Sequence, residues 1–165
     1  PRMTEHTLII RDFWPEDADD VSTVVRTTMQ ISNAGDYRLE RLLPLINYFS
    51  PEKILQLSQE RHCLVAERDG KIIGTASLDA VADQYGELCT FFVHPDHQQS
   101  GVGSELLAAI EEIARESGMD HIQIDSSITG APFYLRRGYQ QTGSDIEGTA
   151  GRQVGLTKML AVHEK

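Results

Sequence analysis

The stretch from residue 93 to 107, VHPDHQQSGVGSELL, constrains the fold of this chain more than any other. The apolar run Leu88–Val93 leads into it and predicts a strand, and the apolar residues that follow recur at spacings of three and four, which predicts a helix. Those helical positions are Leu106, Leu107, Ile110, Ile113 and Ala114. Gly101 and Gly103 lie between the two elements, where the lack of a Cβ lets the backbone turn sharply and approach a ligand. The free amides of the first helical turn and the helix dipole then favour an anion such as a pyrophosphate.

Two nucleotide-binding motifs share this strand, glycine turn and helix layout. The phosphate loop of nucleoside triphosphatases requires a lysine followed by serine or threonine after its last glycine, and here Gly103 is followed by Ser104 and Glu105. The dinucleotide fingerprint requires a third small residue where Leu106 stands, and no repeated strand-helix-strand halves surround it. The sequence therefore disfavours a nucleotide-binding module.

The stretch resembles the acetyl-coenzyme A motif of the GCN5-related N-acetyltransferase (GNAT) family. That motif is a strand ending in Val-x-Pro, followed by Gln/Arg-x-x-Gly-x-Gly/Ala and a helix. Here it reads Val93-His94-Pro95 and Gln98-Gln99-Ser100-Gly101-Val102-Gly103. A second element, Phe133-Tyr134-Leu135-Arg136-Arg137-Gly138-Tyr139, resembles the family's aromatic-Tyr-x-x-x-Gly-aromatic signature. The two motifs occur in the family's order, so the resemblance extends beyond a single glycine loop.

The resemblance implies an α/β (α+β) fold: a single GNAT-like domain with a mixed, mostly antiparallel central sheet of about seven strands flanked by helices on both faces. It predicts one acetyltransferase domain over residues 1–165, with a core at 6–161 and tails at 1–5 and 162–165. Hydrophobic patterning predicts the strands Thr7–Phe13, His62–Arg68, Lys71–Leu78, Glu87–Val93, His121–Ser126, one from Tyr139 onward, and Gln153–Ala161.

Helices are predicted between these strands. The acidic run at residues 16–20 suits a helix start, and this helix should fade near Asn33. A helical region from Tyr37 to Arg61 is expected to break at Pro44 and at Ser50-Pro51, where Ser50 can cap the next helix. A short helix is predicted at Gly130–Arg137, and a glycine-bearing loop at Gly143–Gly151. Asp69-Gly70 predicts a two-residue hairpin turn.

Composition narrows the classes of partner. The net charge of −10 argues against a nucleic-acid-binding protein, because such a protein needs a basic face. It mildly favours a cationic substrate, although acidic charge that keeps the protein soluble is the simpler explanation. No apolar run is long enough for a membrane span, so a soluble cytoplasmic protein is expected. Cys63 and Cys89 lie in apolar runs, as expected for buried thiols in a reducing compartment.

Transfer of an acetyl group from a thioester requires a neutral amine and a proton for the leaving thiolate. Glu87 is the candidate base, and strand alternation would place Glu87, Cys89, Phe91 and Val93 on one side; an exposed carboxylate at a strand end is the alternative. By resemblance, Tyr134 would return a proton to the coenzyme A thiolate. A covalent route through Cys89 and a metal site at His94-Pro95-Asp96-His97 are both disfavoured, and no metal is predicted.

The resemblance also implies which residues hold the cosubstrate, acetyl-coenzyme A. The main chain of Phe92 and Val93 would pair with the pantetheine arm, and Ser127 stands where many relatives contact it with asparagine. The pyrophosphate would be held by the amides of Gln98, Gln99, Ser100, Gly101, Val102, Gly103 and Ser104. No basic side chain lies between His94 and Ser104. Arg136 or Arg137 is a candidate to assist the outer phosphate of the coenzyme, with solvated helix charges as the preferred interpretation.

Together these patterns predict an N-acetyltransferase that moves an acetyl group to a primary amine of a small molecule or peptide by direct attack. The alternative is a non-catalytic acyl-coenzyme A sensor on the same fold. The acceptor stays open among polyamines, amino acids, aminoglycosides and protein N-termini. The segments Asn33–Arg61 and Asp145–Arg152 would select it, and Tyr37, Tyr48 and Phe49 are candidates to face it, with packing in the core as the alternative. Relatives are frequently dimers, so the resemblance allows a homodimer and leaves the oligomeric state open.

Overall fold

The strands of the chain form one mixed sheet in the order β1-β2-β3-β4-β5-β8-β6, with β7 paired to β8. The computed structural model describes residues 7–32, 38–143, 145–148 and 151–161. Its strands are β1 Leu8–Asp12, β2 His62–Arg68, β3 Lys71–Ala82, β4 Tyr85–Val93, β5 His121–Ser127, β6 Gln140–Gln141, β7 Ile146–Gly148 and β8 Gly151–Met159. Among the strands of the described residues, only β4 and β5 run parallel. The predicted mixed, mostly antiparallel sheet is confirmed, and β7 is a short addition within the predicted loop.

The helices are α1 Ala18–Ser32, α2 Leu39–Tyr48, α3 Pro51–Glu60, α4 Val102–Glu116 and α5 Ala131–Leu135, with 3-10 turns at Pro15–Asp17 and Pro95–His97. The Ser50 cap is confirmed, because its side chain accepts a hydrogen bond from the Lys53 amide at 3.2 Å. The predicted break at Pro44 is wrong, since α2 continues through it. Leu42 and Ile46 are almost fully buried, and their packing offsets the backbone hydrogen bond that proline removes.

Two apolar clusters place helices on opposite faces of the sheet. Neighbouring residues of β2 point to opposite faces, so Leu64 joins one cluster and Val65 the other. The first cluster contains the buried stripe of α4, and the second contains α1, α2 and α3. This arrangement confirms the predicted helices on both faces.

The hairpin between β2 and β3 shows why the local prediction succeeds. Asp69 and Gly70 both have positive φ, 54° and 77°, which is the conformation that a two-residue hairpin turn needs. Arg68 and Lys71 pair directly across it. The predicted turn is therefore confirmed.

Candidate active site

The parallel strands β4 and β5 separate partway along their length. They pair only where Tyr85, Gly86 and Glu87 face His121, Ile122 and Gln123. Beyond this point β5 stays paired with β8 as far as Ser127, and β4 stays paired with β3 as far as Val93. In the described part of the chain, the β5-facing backbone groups of β4 after Glu87 therefore have no strand partner. An extended ligand can bind to such an edge through main-chain hydrogen bonds.

A bulge in β4 changes which side chains face this opening. Cys89 pairs with Ser77 and Phe92 with Thr75, so two residues of β4 oppose one of β3, and Thr90 takes a positive φ of 48°. Phe91 and Val93 consequently pack in the α4 cluster with Leu88, whose side chain points away from Cys89. The prediction that Glu87, Cys89, Phe91 and Val93 share one side is wrong, because the bulge interrupts the alternation.

Glu87 lies at the last paired position before the strands separate. It stands opposite Asp79 on β3 and Gln123 on β5. Partial burial raises the pKa of its carboxyl, the nearby charges of Asp125 and Asp79 raise it further, and Arg61 opposes them. A carboxylate with a raised pKa is better matched to accepting a proton near neutral pH than an exposed one.

Tyr134 is buried within a group of aromatic rings. Its ring centroid lies 5.8 Å from that of Phe91 on β4, 5.1 Å from Phe133 and 5.8 Å from Tyr139. Burial raises the pKa of its phenol above the ordinary value, so the hydroxyl is protonated at neutral pH. The described residues contain no hydrogen-bond partner for this hydroxyl. The structure thus ties α5 to β4 through Tyr134 and keeps a proton on its side chain.

The glycine turn after β4 has the backbone geometry of an anion site. Gly101 caps α4 with φ 87°, and Gln99 also has a positive φ of 66°. The first intrahelical bond runs from the Glu105 amide to the Gly101 carbonyl, which leaves the three preceding amides without helical partners. Gly103 lies so close to Phe133 that an added Cβ would come within 3.2 Å of its ring. The close approach of Phe133 gives Gly103 a packing role, whereas the unpartnered amides of this turn are the groups that fit a diphosphate.

Three predicted contact residues have side chains that form hydrogen bonds within the protein. The Gln98 side-chain amide donates to the Val93 carbonyl at 2.9 Å, so it braces the loop against the end of β4. The Ser127 hydroxyl accepts a hydrogen bond from the Gly130 amide at 3.0 Å, in the turn before α5. Ser100 donates to the His97 carbonyl at 2.5 Å. These side chains shape the loops on either side of the opening.

Arg137 differs from the preferred sequence interpretation, a solvated helix charge. Instead of standing in solvent, it is half-buried: its Nε and Nη2 donate to the Ser104 hydroxyl at 3.1 and 2.5 Å, and its guanidinium stacks 3.6 Å from the Phe133 ring centroid. Arg136 is exposed, as expected. No sequence signal separates the two arginines, because the packing of α5 against the start of α4 decides which one turns inward.

The aromatic residues that were candidates to face the acceptor differ in their burial. Phe49 is buried, and its ring lies 6.3 Å from Phe92 in the cluster formed with α1, α2 and α3. Its carbonyl accepts a hydrogen bond from the Ser22 hydroxyl at 2.6 Å, which fits the packing alternative for this residue. Tyr48 is 44% exposed. Tyr37 lies outside the described residues.

The structure also bears on the covalent route through Cys89, the metal site and a membrane span. Burial raises the pKa of the Cys89 thiol to about 12, which disfavours a thiolate nucleophile. Both cysteines are free thiols. Across the described ranges there is no cluster of three or more side chains suited to holding a metal ion, and none of the described helices is long and apolar enough to cross a membrane.

Comparison with known proteins identifies the class. The model of the acetyltransferase (GNAT) family matches residues 30–139, and the chain belongs to that family. Among solved structures, the PaiA N-acetyltransferase from Thermoplasma acidophilum, in complex with coenzyme A, is 23% identical with a TM-score of 0.81, covering 93% of this chain and 99% of that one. A GCN5-related N-acetyltransferase from Rhodopseudomonas palustris is 24% identical with a TM-score of 0.82, covering 97% of this chain and all of that one.

Curated relatives are amino-acid acetyltransferases. The one from Azotobacter vinelandii is 40% identical over 80 residues, which is 48% of this chain and 18% of that protein. The one from Pseudomonas aeruginosa is 33% identical over 120 residues, covering 67% of this chain and 27% of that protein. The matched part of the chain thus spans roughly a fifth to a quarter of the length of these relatives.

Proposed function

We propose that residues 6–161 form an N-acetyltransferase domain that moves an acetyl group from acetyl-coenzyme A to a primary amine of a small molecule or peptide by direct attack. The observation that carries this proposal is the separation of β4 from β5, with Glu87 at its closed end and the glycine turn at its open end. One opening thus joins a candidate base to a candidate diphosphate site.

The cosubstrate supplies the acetyl group as a thioester, and the chain's own groups bind and orient it. The turn amides up to Ser104 hold the diphosphate, and the main chain at Phe92 and Val93, on the edge of β4 that has separated from β5, holds the pantetheine arm. A β4 amide polarises the thioester carbonyl. Because these donors belong to a strand and a helix end, they are already in position when the ligand arrives.

Proton movement involves two side chains. An alkyl ammonium has a pKa of about 10, so Glu87, directly or through water, removes a proton before attack. Tyr134 then gives its proton to the leaving thiolate. Its pKa, raised by burial, makes the phenol a weak acid, so its contribution comes from position rather than acidity.

The acceptor side of Glu87 carries charges of both signs. Asp79 and Asp125 raise the pKa of Glu87, and Arg61 lowers it. The two aspartates favour an acceptor with several ammonium groups, such as a polyamine, whereas Arg61 offers a partner for the carboxylate of an amino acid. The amino-acid acetyltransferases among the relatives make the second class worth testing first.

The testing experiment is thiol release from acetyl-coenzyme A with amino acids, polyamines, aminoglycosides and short peptides, beside a no-amine control. Asp125→Asn and Arg61→Gln form a matched pair: Arg61→Gln should raise the KM for an amino acid, and Asp125→Asn should raise it for a polyamine. A change that is the same for both acceptor classes would contradict the charge argument.

The Tyr134→Phe variant distinguishes an enzyme from the sensor alternative. In an enzyme this variant should retain coenzyme A binding and lose turnover. Binding to the wild-type chain without amine-dependent thiol release from any acceptor would favour the sensor. Failure to bind coenzyme A at all would contradict the proposed function as a whole.

A further inference from the structure

Arg137 joins the two motifs of the chain at one point. It follows the short helix α5, and its side chain reaches the first turn of α4, 33 positions earlier in the sequence. Two of its nitrogens donate to the Ser104 hydroxyl, and Nη1 donates to the Phe133 carbonyl at 2.8 Å. With the ring of Phe133 stacked against it, the guanidinium is held in one orientation.

The contacts leave donors unused. A guanidinium has five N–H groups, and three of them make the bonds to Ser104 and Phe133. One N–H on each terminal nitrogen is therefore left over. The Ser104 hydroxyl accepts two hydrogen bonds, so its own proton is also available to donate. These groups lie at the helical turn whose amides have no intrahelical partners.

The turn has no other charge of its own. Residues 98–104 contain no lysine or arginine, and the amide of Gln98 is bound to the Val93 carbonyl. A diphosphate carries negative charge that the amides and helix dipole compensate only in part. Arg137 is positioned to supply the missing positive charge, and its planar fork suits phosphate oxygens better than a point charge would.

We propose that Arg137, oriented by Ser104 and Phe133, binds the diphosphate of the acetyl-coenzyme A cosubstrate and positions it over the first turn of α4. This inference rests on the proposed function, because it assumes that coenzyme A occupies the opening between β4 and β5. Arg137 is thus a ligand-positioning residue, and Ser104 acts with it as the partner that fixes its geometry.

Isothermal titration of the whole chain with coenzyme A tests this directly, without relying on turnover. Arg137→Leu keeps an apolar contact with Phe133 and removes the charge, and it should weaken binding by about tenfold, the scale of one lost charged hydrogen bond. Arg136→Leu removes the same charge from the adjacent exposed position and should bind within about twofold of wild type. Arg137→Gln is the substitute if Arg137→Leu does not fold, with the same expected loss.

Two further probes locate the contact. With 3′-dephospho-coenzyme A, which keeps the diphosphate, the loss on Arg137→Leu should be the same as with coenzyme A. With pantetheine, which has no phosphate, the substitution should change nothing. A loss that disappears with 3′-dephospho-coenzyme A would move the contact to the outer phosphate and overturn the proposal.

Equal losses in Arg136→Leu and Arg137→Leu, or unchanged affinity in Arg137→Leu and Arg137→Gln, would overturn it as well. If the wild-type chain itself does not bind coenzyme A, the proposed function fails first. The two failures are therefore distinguishable.

Discussion

Replacing Gly101 by alanine tests whether the backbone conformation of the turn is needed for ligand binding. Gly101 has φ 87°, and an added Cβ would meet nothing within 4 Å. The cost of Gly101→Ala is therefore conformational rather than steric. For an L-residue the left-handed region costs about 1–2 kcal/mol. The reduced freedom of the unfolded chain recovers less than about 1 kcal/mol.

Gly118 provides a matched control at the other end of α4. It has φ 83°, and a Cβ there also meets nothing within 4 Å. Both variants should lose about 1 kcal/mol of unfolding free energy, which for a domain of this size lowers Tm by about 2–4 °C. Only Gly101→Ala should weaken coenzyme A binding, because relief of the strain there turns the amides away from the diphosphate.

The assay is urea unfolding of both variants, followed by titration with coenzyme A. Equal weakening of binding in both variants would mean that general destabilisation, not the turn, controls affinity. Unchanged stability in Gly101→Ala would refute the strain argument itself. Loss of affinity confined to Gly101→Ala would support the turn as the diphosphate site.

Four further predictions concern proton transfer and the core. The acidic limb of the pH profile of kcat/KM should reflect the ionisation of Glu87, with an apparent pKa above that of an ordinary glutamate. In a pH series, Asp125→Asn should move this limb to lower pH, and Glu87→Gln should abolish it. A carboxyl with a higher pKa in the folded than in the unfolded chain makes stability fall as pH rises through those two values, so denaturation at neutral pH should find Glu87→Gln no less stable than wild type. Tyr134→Phe should lower kcat with little change in Tm, since no described residue bonds its hydroxyl; a large Tm loss would contradict this. The buried Glu111 accepts hydrogen bonds from Tyr139 at 3.1 Å and from Lys158 at 2.9 Å. In denaturant titrations, Glu111→Ala should lower the free energy of unfolding by about 3–5 kcal/mol and Tyr139→Phe by only about 1 kcal/mol. Similar losses in the two variants would refute the network.

Much of what could be predicted depends on residues that are close neighbours in the sequence. The hairpin at Asp69-Gly70 and the cap at Ser50 follow from single side chains and backbone preferences, and both are confirmed. The apolar spacing of α4 predicts its buried stripe for the same reason, because a helix places residues three and four apart on one face. Pro44 marks the limit of local reasoning. Proline disfavours the interior of a helix, but the packing of the buried residues of α2 outweighs that preference and the helix continues through it.

The two motifs also indicated the family, the sheet and the glycine turn before any contact was known. The sequence alone determined these features because each depends on residues close together in the chain, whose spacing and backbone preferences can be read directly. The tertiary structure alone decided where β4 leaves β5, how the bulge at Thr90 reverses the faces of Phe91 and Val93, and which arginine meets Ser104. These features depend on pairs of residues tens of positions apart, and such pairs meet only when strands choose their register and helices pack against one another.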